Sequence, residues 1–195
     1  MTGHLVMLHG FSGTSEMIKP LAEQVCPERW QVCVINGPFT HPQRGYTWWT
    51  WSGKSNETFD VNKLKELKES VEHVLSSLPE EGPLIVGGFS QGAAVAQELL
   101  LTEVAQRIAG VIVIGSKAAR PSVLLDKLAE LPPKRMCSMH GGADEIILLK
   151  HGEECANLYE EGGWEVTRMH HNKGHIVDID YLEQLKKWVS NSAQR

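Results

Sequence analysis

The sequence predicts a three-layer α/β sandwich built on a mainly parallel sheet of about six strands. Two observations carry this reading. Six short apolar or β-branched runs recur along the 195 residues, and longer stretches with helical periodicity lie between them. Strand and helix in alternation mean parallel strands joined by right-handed crossovers. No internal repeat, low-complexity tract or long Pro/Gly/Ser linker divides the sequence, so residues 1–195 read as one domain.

Taken in order, the runs are HLVML (4–8), WQVCVI (30–35), PLIVGGF (83–89), GVIVIG (110–115), KRMCSM (134–139) and WEVTRM (164–169). Each is bounded by turn residues, and several lack polar alternation, as expected of strands buried on both faces. Between the second and third runs, Val61, Leu64, Leu67, Val71, Val74, Leu75 and Leu78 recur at spacings of three and four. Asp60 is placed to cap that helix and Pro79 to stop it. The last helix carries Tyr181, Leu182, Leu185, Trp188 and Val189 on one stripe, with Asp180 and Glu183 in capping-box spacing.

Composition narrows the function classes. A net charge of −5, with no Lys/Arg-rich block, argues against nucleic acid or an anionic membrane as the main partner. The four cysteines, Cys26, Cys33, Cys137 and Cys155, form no CxxC pair and no metal spacing. Cys33 and Cys137 sit in apolar runs and read as small buried hydrophobes. The opening MTGHLVMLHG has an apolar run too short for a signal peptide or a membrane span. The expected compartment is the cytosol, without stable membrane insertion.

In a sheet of this kind, reactive groups gather outside the carboxyl ends of the strands. The third run leads through Gly88-Phe89-Ser90-Gln91-Gly92 into a helix of small residues. The pattern G-x-S-x-G alone is weak, since a chain with 18 Gly yields roughly 0.1 matches by chance. Its context, strand before and helix after, is what the nucleophile elbow requires. The turn is sharp, so the residues two positions either side of Ser90 must lack a Cβ. Ser12, in HGFSGT, lacks the second glycine at the right offset and precedes no clean helix.

A serine hydroxyl needs a base, normally an imidazole oriented by a carboxylate, in the chain order Ser, acid, His. MHGGADEII after the fifth run offers Asp144, and MHHNKGHIVDID after the sixth offers His175. Glu145 and Asp178 are rival acids, although Asp178 and Asp180 also suit capping of the last helix. His170 and His171 are rival histidines. A metal set of His171, His175 and Asp178 is possible by composition, but Gly174 interrupts the helix that a His-x3-His zinc pair uses. No metal and no cofactor is expected. The oxyanion needs N–H donors: Gln91, just after the nucleophile, and Phe11, in the loop after the first run, where Gly10 allows close approach. His9 and Ser12 are candidates for bracing that loop.

LHGFSGTSEMIKPLAE, GGFSQGAAVAQEL, HGGADEII and the GH pair resemble the phospholipase/carboxylesterase branch of the α/β-hydrolases, which includes the acyl-protein thioesterases. HGF, GFSQGAA and TFDVNKLKELKESVEHV also resemble the fungal-type small serine hydrolases. The resemblance spans nearly the whole chain. It implies Ser90, Asp144 and His175 as a triad, with the Phe11 and Gln91 amides as the oxyanion hole. One departure is Glu145, where the thioesterase branch usually has Pro, which leaves the shape of the acyl pocket open.

Family members carry a Trp-aromatic pair after the second strand, and GPFTHPQRGYTWWTW is similar to it. Trp48 and Trp49 are therefore expected to line a substrate slot, with Trp51 packing, since large rigid indoles make good apolar walls. Ile146 and Ile176, beside Asp144 and His175, are expected to join them. Larger relatives insert a cap between the fourth and fifth strands. SKAARPSVLLDKLAELPP has room for only one short helix, so the site should be open and shallow. The expectation is a carboxylesterase acting on a small-molecule acyl ester or thioester, as a monomer or homodimer. A thioesterase for acyl proteins or acyl carriers, and a non-catalytic receptor on the same fold, are the alternatives.

Overall fold

The computed structural model describes residues 2–54 and 58–194. In chain order the elements are β1 (His4–Leu8), α1 (Ser15–Val25), β2 (Gln31–Ile35), β3 (Phe39–Thr40), β4 (Tyr46–Thr47), α2 (Val61–Ser77), β5 (Leu84–Phe89), α3 (Gln91–Glu98), β6 (Ile108–Ile114), α4 (Pro121–Glu130), β7 (Arg135–Gly141), α5 (Leu149–Glu161), β8 (Glu165–His171) and α6 (Leu182–Ser192). Six strands form one sheet in the order β2-β1-β5-β6-β7-β8, every pair parallel. A two-stranded antiparallel hairpin, β3–β4, stands apart.

Alternation along the strands divides the core into two layers. Val6, Leu8, Val86, Val111 and Val113 face α2, α3, α4 and α5. Leu5, Met7, Ile85, Ile112 and Ile114 face α1 and α6. Both faces are covered, which is why these strands read as continuous apolar runs. Among the described residues, no helix is long and apolar enough to cross a membrane.

The chain runs outward from β1 to β2, then returns to place β5 on β1's other side and continues outward to β8. The topological switch therefore lies between β1 and β5, where a crevice opens at the carboxyl ends. The loops after these two strands hold residues 9–14 and Ser90.

Asp60 caps α2 by accepting Lys63 N–H at 2.9 Å, and the helix ends just before Pro79. The capping box expected at Asp180 and Glu183 is absent. A 3₁₀ turn, Ile179–Tyr181, precedes α6, and its cap is Asp178, which accepts Asp180 N–H at 3.1 Å. The Asp180 carboxylate turns instead to Lys173 Nζ at 2.8 Å, an ion pair that the local pattern did not encode. All four cysteines are free, and burial pushes Cys137 and Cys155 up to about 12. Cys33 is only half-buried.

Candidate active site

Ser90 sits at φ 54°, ψ −119°, a region an L side chain enters only when its surroundings hold it there. Two bonds do so: Ser90 N–H donates to Ile114 O, and Ser116 Oγ–H donates to Ser90 O, each at 2.8 Å. The flanking glycines are required by space. A Cβ at Gly88 would lie 2.4 Å from Leu8 O, and one at Gly92 would lie 2.4 Å from both Leu8 O and His9 O. The elbow thus presses α3 against the end of β1. Ser12 also has positive φ, at 55°, and α1 begins three residues after it, contrary to the expectation that no helix follows.

The loops after β7 and β8 are joined through their backbones. Gly142 N–H donates to His171 O at 2.6 Å, and Ala143 N–H to Lys173 O at 3.1 Å. Gly141 has no room for a Cβ, which would lie 2.3 Å from Lys173 O. This join carries Asp144 and His175 to Ser90. His175 Nδ1 is 2.6 Å from Asp144 Oδ2, and His175 Nε2 is 3.0 Å from Ser90 Oγ. Nδ1–H donates to the carboxylate, which leaves Nε2 to accept the serine hydroxyl. The second oxygen of Asp144 accepts Ile146 N–H and Ile147 N–H, both at 2.9 Å, so the carboxylate is fixed on either side. The ring of Phe89 lies 4.7 Å from that of His175 and supports it.

The rival residues lie elsewhere. Glu145 is exposed, and Asp178 pairs with Lys173 at 2.5 Å. His170 points outward to Glu153 at 2.7 Å, while His171 is buried and accepts Lys173 N–H at 3.3 Å. His171, His175 and Asp178 therefore share no common point. One histidine that sequence reasoning passed over is His140, in β7. It is fully buried, donates from Nε2 to Ile147 O at 2.7 Å, and lies 3.5 Å from Asp144 Oδ2. Burial lowers its pKa and holds it neutral. It stands one residue past the apolar run at 134–139, though within β7, and no local pattern marked it.

Gln91 opens α3, so its N–H has no helical carbonyl to meet. Among the described residues, neither the Gln91 nor the Phe11 N–H donates to a protein acceptor. Both residues border a cavity of about 220 Å3 that also exposes Ser90 and His175. Its apolar walls include Trp49, Trp51, Phe59, Phe89 and Ile146. Trp49, Trp51, Thr58 and Phe59, which lie between β4 and α2, supply part of these walls.

Two expected wall residues are elsewhere. Trp48 has no exposed surface and is not on the cavity wall; its indole Nε1–H donates to His9 O at 2.8 Å. Ile176 is 45% exposed and is not on the cavity wall. Trp51, expected to pack, is on the wall instead and meets Phe11 edge-to-face at 5.1 Å. Trp48 and Trp49 lie in the bend that follows β4, and only Trp49 reaches the cavity.

Residues 2–193 match the phospholipase/carboxylesterase family. Acyl-protein thioesterase 1 of Aspergillus fumigatus is 31% identical over 111 residues, which cover 54% of this chain and 46% of that protein. The aligned part is thus about half the length of that relative. Acyl-protein thioesterase 2 of Zea mays has a similar structure, with a TM-score of 0.78, 20% identity, and coverage of 98% of this chain and 94% of that one. The carboxylesterase of Bacillus cereus is similar with a TM-score of 0.73 and 23% identity, over 98% and 89% of the two chains. Esterase PE8 superposes with a TM-score of 0.84 at 19% identity, over 97% and 92%. With its parallel six-stranded sheet and the match along nearly its whole length, the chain belongs to the phospholipase/carboxylesterase family.

Proposed function

We propose that this chain hydrolyses carboxylic esters through an acyl-enzyme on Ser90. The observation that carries the reading is the unbroken relay Ser90 Oγ, His175 Nε2, His175 Nδ1, Asp144 Oδ2, with links of 3.0 and 2.6 Å, at the mouth of an apolar cavity. Ser90 Oγ attacks the acyl carbonyl as its proton passes to His175 Nε2. The negative charge that develops on the carbonyl oxygen falls to the Gln91 and Phe11 amides. The tetrahedral species collapses, the ester C–O bond breaks, and His175 returns the proton to the leaving alcohol. Water then attacks the acyl-enzyme with His175 as base, releasing the acid and restoring the Ser90 hydroxyl. Asp144 holds the imidazole in the tautomer this sequence needs.

The test is Ser90→Ala, assayed on p-nitrophenyl esters and by fluorophosphonate labelling. Both activities should vanish while the melting temperature is retained. Hydrolysis at the wild-type rate by Ser90→Ala, with label on another residue, would refute the assignment.

A thioester substrate is a second reading, favoured by the thioesterase names of the Aspergillus and maize relatives. The relay serves either leaving group, since both reactions pass through the same acyl-enzyme. Matched oxyester and thioester series with one acyl group, compared by kcat/KM, decide between them.

A further inference from the structure

The Phe11 N–H is one end of the Gly10–Phe11 peptide, and its other end is held by two donors. Gly10 O accepts His9 Nδ1–H at 2.7 Å and Gly13 N–H at 3.0 Å. In a trans peptide the C=O and N–H point in opposite directions, so fixing the carbonyl fixes the aim of the amide. Hydrogen bonds to the carbonyl also polarise the peptide and strengthen the N–H as a donor. The tautomer of His9 is not free. Its Nε2 accepts Gly37 N–H at 2.9 Å, so the neutral ring carries its proton on Nδ1. The side chain is 1% exposed, and burial lowers its pKa, so the ring stays neutral.

The preceding carbonyl, His9 O, is held as well. It accepts Trp48 Nε1–H at 2.8 Å and lies against the Cα of Gly92, where a Cβ would be 2.4 Å away. Trp48 is itself clamped. Its N–H donates to Gln91 Oε1 at 3.1 Å, and its carbonyl accepts Ser70 Oγ–H at 2.5 Å. Gln91 Nε2 donates to Trp49 O at 3.0 Å, which settles the orientation of the carboxamide. Gln91 thus contributes one oxyanion amide from its backbone. Its side chain, through Trp48, fixes the carbonyl beside the other.

We infer that His9 and Trp48 are positioning residues that aim the Phe11 amide at the oxyanion, and so act on the transition state rather than on bound substrate. Neither borders the cavity. The inference rests on the reading that Phe11 and Gln91 supply the oxyanion donors.

The experiment compares Trp48→Phe, His9→Leu and His9→Asn with wild type and Ser90→Ala. Trp48→Phe removes the indole N–H but keeps an aromatic ring. His9→Asn places an amide donor close to the position of Nδ1, and His9→Leu removes it. For Trp48→Phe and His9→Leu, kcat should fall about tenfold or more, short of the roughly 10²–10³-fold loss of an oxyanion donor itself. KM should stay within about twofold, and the loss should be the same for acetate and longer acyl esters. Affinity for a trifluoromethyl ketone, which forms a tetrahedral adduct on serine, should fall by the same factor as kcat. His9→Asn should recover most of what His9→Leu loses.

Wild-type kcat in folded Trp48→Phe and His9→Leu would overturn the inference, as would a loss confined to KM that grows with acyl size. A drop in kcat with no change in ketone affinity would also overturn it. If Trp48→Phe does not fold, the His9 pair decides alone. Ser90→Ala separates the two levels: inactivity there, beside unaffected positioning variants, defeats this inference only, whereas wild-type activity there defeats the esterase reading and this inference together.

Discussion

Within four residues, Trp48, Trp49 and Trp51 take three different roles, and sequence distinguishes them poorly. Trp48 is committed by its N–H to a carbonyl 39 residues earlier, a partner that no local pattern reveals. Trp49 is buried, yet lines the cavity, and its ring meets that of Phe59 at a tilt with centroids 5.0 Å apart. Trp51 is only half-buried, stands against Phe11, and anchors its indole N–H on Lys54 O at 2.9 Å. Trp51 is therefore the indole whose removal should change substrate choice with the least damage to the fold. An indole presents up to about 250 Å2, so Trp51→Ala should forfeit on the order of 1–3 kcal/mol of apolar binding for a bulky acyl group. The expected outcome is a drop in kcat/KM of about tenfold or more for long or aromatic esters and a small change for acetate esters. An equal loss on both, together with a lower melting temperature, would make Trp51 a packing residue and leave the wall to Trp49 and Phe59.

At the scale of elements, the parts legible in the sequence are those that local physics determines. Strands β1, β2 and β5 through β8 lie within a residue or two of their runs. In β1, β5 and β6 burial on both faces leaves an unbroken apolar signal, while the edge strands β2 and β8 are only partly buried. The elbow was legible because Gly88 and Gly92 answer to steric demands within the motif itself. The β3–β4 hairpin was not, since two-residue strands are too short to show a period. The start of α6 was misread because Asp180 could reach either a helix N–H or Lys173, and the ion pair prevailed. Around the cavity, Ser90, Asp144 and His175, which chain order singled out, meet in one relay, while the walls at Trp51 and Phe59 carried no local signal. The elbow makes a sharp prediction. Gly92→Ala adds a single methyl that would sit 2.4 Å from two carbonyl oxygens of β1 and its loop, with backbone on both sides and no flexible side chain to yield. Helix α3 must then move away from β1, carrying Ser90 and the Gln91 amide with it. Activity should fall at least a hundredfold, since displacements near 1 Å at a reacting centre cost about that much. Ala94→Gly in the same helix should keep most activity while losing stability of about 1 kcal/mol, the usual cost of Gly for Ala inside a helix. Similar activity in the two variants would show that the close approach of α3 to β1 is not what sets the geometry of the elbow.

For the molecule as a whole, two buried neutral histidines tie the loops around Ser90 to the pH dependence of folding. His9 lies beneath the loop after β1, and His140 lies beneath the loop that carries Asp144. Each is 1% exposed and each has its pKa lowered, first by burial. In His140 the ring also packs on α5, where a Cβ at Gly152 would lie 2.3 Å from Nδ1, so the helix leaves little space for a hydrated imidazolium. The direction of the linkage follows from the lowered values. Above the unfolded-state pKa of about 6.5 both rings are neutral folded or unfolded, and they add no pH dependence. Below it the unfolded chain takes up protons that the folded chain refuses, so stability declines as pH falls from about 6.5 toward the folded-state pKa values. Each ring adds up to about 1.4 kcal/mol per pH unit across that window. The melting temperature should thus be nearly flat between pH 7 and 8 and fall between about 6.5 and 5. His140→Gln keeps a donor near Ile147 O but removes one titrating ring. Relative to its own melting temperature at pH 7.5, its decline into acid should be visibly shallower than that of wild type. An acid slope unchanged by His140→Gln would mean that the neutral ring behind Asp144 contributes nothing to acid unfolding.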